Sequence, residues 1–409
     1  MSKLARVVVV GAGLAGLRVA EELRQLGYDG DLTLIGAENR QPYDRPPLSK
    51  KLMTGEIDDT SLRPDLDALG VVLRLGESAT SLGEHSVRTD VADYAWDALV
   101  LATGASPVRL PGNGPQQVLR TADDALRLRA QLTPGTRLAV VGAGWIGAEL
   151  ATAAAARGCR VTVLEAAEQP LAGAVGAQVG QATARWYAEA GVDLRVRQGV
   201  AAIEPDGVRL SAADRSAGEH SEGEPSAGEL LPADLVVTAV GVRPAVSWLA
   251  NSAIRLDNGV AVDAQLRTSV PGVFAVGDCA SFWSGRYQRQ LRFEHWDVAL
   301  HAPEVAAANI LGGVAAYDPV PYFWSEQFGR MLQYVGWHGT GDRLIWRGDP
   351  AGPRWAVCWL AGDRLVAALT VGLPRDLLQA RRLIEAGGLA DPGKLADPGI
   401  PVRAAALAA

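Results

Sequence analysis

Cysteine is scarce in this sequence. Cys159, Cys279 and Cys358 are scattered through 409 residues with no C-x-x-C spacing, which argues against a disulfide framework, a zinc site or a redox dithiol and fits a reducing cytoplasm. Positive charge is also in deficit: 39 Lys and Arg stand against 46 Asp and Glu, a net charge of -7. A chain of that sign is not expected to seek nucleic acid or anionic lipid, so any basic docking surface must be local. Its five histidines, His85, His220, His295, His301 and His338, show no metal-ligand spacing. No apolar run reaches the length of a membrane span, and Met1–Arg6 leads into Val7–Val10 without a cleavage pattern, so a cytoplasmic, membrane-free protein is expected. What remains is ordinary globular material, 48% hydrophobic and 21% charged, long enough for two or three domains.

The opening unit is dense. An apolar run from Ala5 to Val10 meets Gly11-Ala12-Gly13-Leu14-Ala15-Gly16, then an amphipathic stretch to Leu26, which reads as strand, tight turn and helix. A second strand, Leu32 to Ile35, ends near Glu38. The layout recurs: Leu138 to Val141, then Gly142-Ala143-Gly144-Trp145-Ile146-Gly147, a helix to Arg157, and a strand from Arg160 to Leu164 closed by Glu165. Further strands are expected at Leu235 to Val240 and Val273 to Val276, and a helix from about His295 to Leu311. Beyond Pro319, short aromatic strands at Leu332–Val335, Leu344–Arg347, Trp355–Leu360 and Leu365–Val371 predict an antiparallel sheet, followed by a helix from about Leu377 to Ala386. Ser211 to Leu230 reads as an exposed loop, and the tail from Gly387 as a loose end.

With 46 glycines in the chain, chance alone supplies roughly half a G-x-G-x-x-G match, so context decides. Both matches lie between a valine-rich strand and a helix, with an acid at the tip of the next strand, as dinucleotide binding requires. The first glycine permits the turn, the second admits the pyrophosphate, the third lets helix and strand pack, and the helix N-terminus offers free N–H groups to phosphate. Two such sites imply two dinucleotides, a nicotinamide and a flavin, between which hydride can pass. Glu38 and Glu165 would accept hydrogen bonds from ribose hydroxyls. A carboxylate at Glu165, followed by Ala166 and Ala167 rather than arginine, favours NADH over NADPH.

The order of motifs resembles the NADH-dependent ferredoxin reductases of monooxygenase and aromatic dioxygenase systems, flavoproteins of the pyridine nucleotide-disulphide oxidoreductase superfamily. The resemblance spans nearly the whole chain. It is carried by Gly11–Gly16, Tyr43-Asp44-Arg45-Pro46-Pro47-Leu48-Ser49-Lys50, Leu101–Ala105, Leu119-Arg120-Thr121, Gly142–Glu149, Gly272–Cys279 and Pro321-Tyr322-Phe323-Trp324-Ser325. It implies FAD at the first glycine turn and NADH at the second.

The resemblance also implies roles for single residues. Contacts to FAD fall on Gly11, Gly13, Leu14, Ala15, Gly16, Glu38, Arg45, Lys50, Ala79, Ala102, Thr103, Gly104, Arg129, Gly277, Asp278, Trp296 and Trp324. Contacts to NADH fall on Gly142, Gly144, Ile146, Gly147, Glu149, Glu165 and Gly241. Asp278 would bond the ribityl chain, against the alternative of an Asp closing a turn. Lys50 would stabilise charge on the reduced ring, against an exposed surface lysine, and Glu149 would pair with it, against a first-turn glutamate serving the helix dipole. Where the family commonly has an acid directly after the glycine closing the second strand, this chain has Ala37, so Glu38 must supply the carboxylate.

The implied architecture is α/β. Two doubly wound dinucleotide-binding domains, FAD (1–106 and 238–318) and NADH (107–237), precede a C-terminal α+β domain (319–409). The implied reaction passes a hydride from NADH to FAD and then single electrons to an iron–sulfur ferredoxin supplying a monooxygenase or dioxygenase. Arg286, Arg289 and Arg292, or Arg375, Arg381 and Arg382, could dock an acidic ferredoxin; solvated surface arginine is the alternative. An NADH oxidase, a rubredoxin reductase, or a redox-gated interaction protein resembling apoptosis-inducing factor stays open on sequence grounds.

Overall fold

A computed structural model describes residues 4–211 and 228–407. Most of the expected Ser211–Leu230 loop therefore lies outside the described residues, as does His220. Leu230 itself opens a strand, Leu230–Pro232. The chain forms two compact units, Met1–Asp44 with Thr60–Ser106 and Val242–Pro321, and Arg45–Asp59 with Pro107–Gly241 and Tyr322–Ala409.

The first unit is built on a five-stranded parallel sheet in the order Val273–Ala275, Ala98–Leu101, Arg6–Val10, Asp31–Gly36, Val71–Leu75. Val7 to Val10 are all buried, and a parallel strand covered on both faces needs such an unbroken apolar run. The following helix, Leu14–Gln25, buries Ala15, Leu17, Val19, Ala20 and Leu23 at helical spacing and packs against a second helix, Trp296–Ile310.

The second unit repeats the plan. Its parallel sheet runs Asp193–Arg195, Arg160–Leu164, Arg137–Val141, Leu235–Thr238, with the helix Trp145–Ala156 after its central strand. A five-stranded antiparallel sheet follows in the order Tyr322–Gln327, Arg330–Gly336, Arg364–Val371, Trp355–Ala361, Arg343–Arg347, and the helix Pro374–Glu385 lies on it. The two halves of this unit share one core: Leu171, Val175, Val179 and Trp186 pack with Trp355, Val357 and Leu369. The rings of Trp186 and Trp355, both fully buried, are 6.3 Å apart.

Two of the longer helices escape the periodicity reading, Ala122–Gln131 and Ala177–Glu189. The first opens on a capping box between Thr121 and Asp124.

The tail from Gly387 is not a loose end. It forms a short helix, Pro392–Ala396, and a 3-10 turn, Val402–Ala405, with Leu395, Val402 and Ala405 buried and one buried side chain bonding several of its carbonyls. Arg347, 2% exposed, bonds Asp376 Oδ2 at 2.7 Å and the carbonyls of Leu395 at 3.2 Å, Ile400 at 2.8 Å and Asp397. A guanidinium with five donors saturates this turn of backbone, which proline content alone suggested would stay open. No described helix is long and apolar enough to cross a membrane.

Candidate dinucleotide-binding and redox site

The two glycine turns are built alike. Gly11 N–H donates to the Ile35 carbonyl and Ala102 N–H to the Val10 carbonyl, both at 2.7 Å; Gly142 to Leu164 and Ala239 to Val141 repeat both bonds at 2.7 Å. Each turn thus sits where the central strand has a neighbour on either side, the switch point at which open α/β sheets bind ligands. Gly11 and Gly142 have φ of +118° and +103°, and a Cβ on Gly11 would lie 2.1 Å from the Ala102 carbonyl oxygen. A Cβ on Gly16 or Gly147 would strike the oxygen of Gly11 or Gly142 at 1.9 Å. Around Gly13 and Gly144, by contrast, nothing lies within 4 Å of that position. The helices that these two residues open carry no side-chain cap and no acid in the first turn, leaving backbone N–H groups to meet a pyrophosphate. Both cradles therefore fit a dinucleotide.

The acids expected to read ribose lie next to them. Glu38 accepts from the Tyr43 hydroxyl at 2.6 Å. Glu165 accepts from Ala143 N–H at 2.7 Å and Ala167 N–H at 2.8 Å, bracing the second glycine turn. In the first unit, Ala102-Thr103-Gly104 leaves the sheet beside Gly11; Thr103 Oγ1 donates to the Ala245 carbonyl at 2.9 Å, and Gly104 accepts from Ala245 N–H. Gly277, at φ +70°, brings its backbone close to Ala15, and Asp278 follows in the same 3-10 turn. Gly241 accepts from Val108 N–H.

A buried polar cluster occupies the second unit. Glu149, 3% exposed, lies on the second turn of the helix Trp145–Ala156. Its Oε2 receives Lys50 Nζ at 2.8 Å and Ser49 Oγ at 2.5 Å, and its Oε1 receives Ser325 Oγ at 2.5 Å. Gln327 Nε2 donates in turn to Ser325 Oγ at 3.0 Å. Lys50 is only 12% exposed and so is no surface lysine. Lys50 and Glu149 were expected to meet; Ser49, Ser325 and Gln327 were not read, although Ser49 and Ser325 stand inside motifs that the sequence displays.

Residues 5–302 match the family model for pyridine nucleotide-disulphide oxidoreductases, and residues 322–406 match a reductase C-terminal domain. The chain belongs to the pyridine nucleotide-disulphide oxidoreductase family. Among similar members, the ferredoxin–NAD(+) reductase component of the anthranilate 1,2-dioxygenase system of Burkholderia cepacia is 39% identical, over 92% of this chain and 93% of its own. Putidaredoxin reductase of Pseudomonas putida is 34% identical, over 92% of this chain and 91% of its own. The solved covalent putidaredoxin reductase–putidaredoxin complex superposes with a TM-score of 0.90 at 32% identity, covering 98% of this chain and 97% of that one.

In this oxidoreductase the remaining candidates fall as follows. Arg45 Nη1 donates to the Arg120 carbonyl at 2.6 Å. Arg129 Nη1 bonds Asp58 Oδ1 at 2.9 Å and the carbonyls of Leu52 and Ile57, tying the helix Ala122–Gln131 to the 45–59 segment. Ala79 opens a strand paired with Ser86–Thr89. Trp296 is the first residue of its helix, with Nε1 donating to Asp44 Oδ1 at 2.7 Å. Trp324 stacks on Tyr322 at 6.1 Å. Of the first arginine group, Arg292 is engaged inward, on Glu294 at 2.7 Å and the Asp278 carbonyl at 3.1 Å. In the second, Arg381 pairs with Glu385, while Arg375 and Arg382 line a cavity of about 530 Å³ with Arg403, Leu378 and Pro401. All three cysteines are unpaired, and burial raises each thiol, Cys358 to about 12, so none is a ready thiolate.

Proposed function

We propose that this chain carries electrons from NADH, by way of FAD, to an iron–sulfur ferredoxin that serves a monooxygenase or dioxygenase. The observation that carries the reading is the glycine cradle built twice, once in each unit, in a chain whose three cysteines are unpaired and have no C-x-x-C spacing. Held in the first cradle, FAD would supply a two-electron hydride acceptor for NADH that can pass electrons on singly, as an iron–sulfur acceptor requires.

The chain's own residues hold the nucleotides and set the charge around them. The first cradle, with Ala102–Gly104, Gly277, Asp278 and Glu38, would hold FAD; Arg45, Ala79, Arg129, Trp296 and Trp324 are further candidate contacts. The second, with Ile146, Gly241 and Glu165, would hold NADH, so that residues 1–106 and 238–318 serve FAD, 107–237 serve NADH, and 319–409 form the C-terminal domain. Lys50 supplies a fixed positive charge for the electron-rich reduced state, and Glu149 holds that lysine in place. The unpaired thiols support a reducing, cytoplasmic setting.

Purified protein loaded with FAD, given NADH and cytochrome c, is expected to reduce cytochrome c only when an iron–sulfur ferredoxin is added. Equal rates with and without ferredoxin would overturn the reading in favour of an oxidase or diaphorase.

A further inference from the structure

Ala166 and Ala167, which follow Glu165, supply no arginine from their own stretch of sequence, but the fold brings one from the neighbouring strand. Arg160–Leu164 and Asp193–Arg195 run parallel with Leu164 opposite Arg195. Residues 165–168 and 196–198 therefore leave the sheet together at its C-terminal edge, where open α/β sheets bind ligands. Three backbone bonds join the two exits: Glu165 N–H donates to the Arg195 carbonyl at 2.9 Å, Arg197 N–H to that of Ala167 at 2.8 Å, and Gln198 N–H to that of Glu165 at 2.9 Å. Arg197 is thereby seated beside the acid expected to read the ribose. Its φ is +54°, a backbone conformation that favours glycine, so a long cationic side chain is carried here against the local preference.

That side chain is already engaged. Arg197 Nη2 meets Glu168 Oε2 at 3.2 Å, with the two side chains 74% and 54% exposed. An ion pair so open to water holds its arginine weakly, whereas a phosphate offers a guanidinium two charge-assisted bonds at once. The other arginine of this strand, Arg195, is taken by Asp193 at 2.9 Å.

We propose that Glu168 is a specificity-determining residue: it occupies Arg197 and adds its charge to that of Glu165, and so turns away a nucleotide with a 2'-phosphate. The proposal rests on the reading that NADH lies in the second cradle with its adenosine ribose at Glu165. A ribose with a free 2'-hydroxyl asks nothing of Arg197. One with a 2'-phosphate brings a dianion to a turn that carries two carboxylates, beside an arginine whose charge is already neutralised. Discrimination against NADPH is then shared between one acid that reads the ribose and a second that disarms the arginine next to it.

The test is calorimetric titration of the FAD-loaded protein with NAD(+) and with NADP(+), taking the ratio of the two dissociation constants. Glu168→Gln is expected to move that ratio toward NADP(+) by about fivefold. Adding Arg197→Ala to Glu168→Gln is expected to abolish the gain, whereas adding Arg195→Ala is expected to leave it. An unmoved ratio in Glu168→Gln overturns the proposal. So does a gain that survives the loss of Arg197, or one that falls equally with the loss of Arg195, since either would reduce Glu168 to a general contribution to surface charge. Failure of the unaltered protein to reduce ferredoxin would strike the proposed function and leave the nucleotide ratio standing.

Discussion

Within each glycine turn, two positions that look interchangeable in a motif do different work. Gly13 and Gly144 have ordinary backbone angles and open space where a Cβ would go. Gly13→Ala is therefore expected to change stability by no more than about 1 kcal/mol while the protein loses FAD on gel filtration. Gly16→Ala would drive a methyl into the Gly11 carbonyl and should cost about 1–3 kcal/mol, read as a lower midpoint in denaturant. Beside Asp278, burial pushes His295 down to about 4, with the Asp278 charge opposing. The folded protein then binds fewer protons at this site than the unfolded chain between about pH 4 and 6.5, so stability falls as pH drops through that window. His295→Gln should flatten that part of the melting-temperature profile; an unchanged slope would remove His295 as its source.

At the scale of elements, the strands and helices around the glycine turns were legible because each has a single strong signal: a run of valines, or apolar residues every three to four places. The helix Trp296–Ile310 and the four aromatic strands after Pro319 follow the same logic within a residue or two. The tail was not legible, because its partners are distant: Arg347 lies about fifty residues upstream of the carbonyls it bonds, Asp363 and Gln379 also hold it, and nothing local announces those meetings. Arg347→Met removes one half of a buried pair with Asp376 and strips several carbonyls of their donor. It should cost about 3–5 kcal/mol and show fast hydrogen exchange over residues 390–405, while exchange in the strand Arg6–Val10 stays slow.

The whole chain is less modular than its motifs suggest. Lys50 and Glu149 could be paired from the family resemblance, but Ser325, which completes their cluster with Ser49, comes from a stretch joined to them only by the fold. Likewise the nucleotide-binding half of the second unit relies on the antiparallel sheet to cover Leu171, Val175, Val179 and Trp186. A chain ending at Pro321 is expected to expose that apolar face and to aggregate on expression; a soluble monomer that still binds NADH would contradict the shared core. The 45–59 segment, although it falls early in the sequence, packs within the same unit.

The twin cradles carry one more implication. Since the same bonds of equal length shape both turns, those bonds do not tell one adenine dinucleotide from the other. Discrimination must come from what differs around them: a carboxylate tethered by a tyrosine hydroxyl at Glu38, and one clamped to its own loop by amides at Glu165. Exchanging those surroundings, rather than the glycines, is the route to a protein with its preferences reversed.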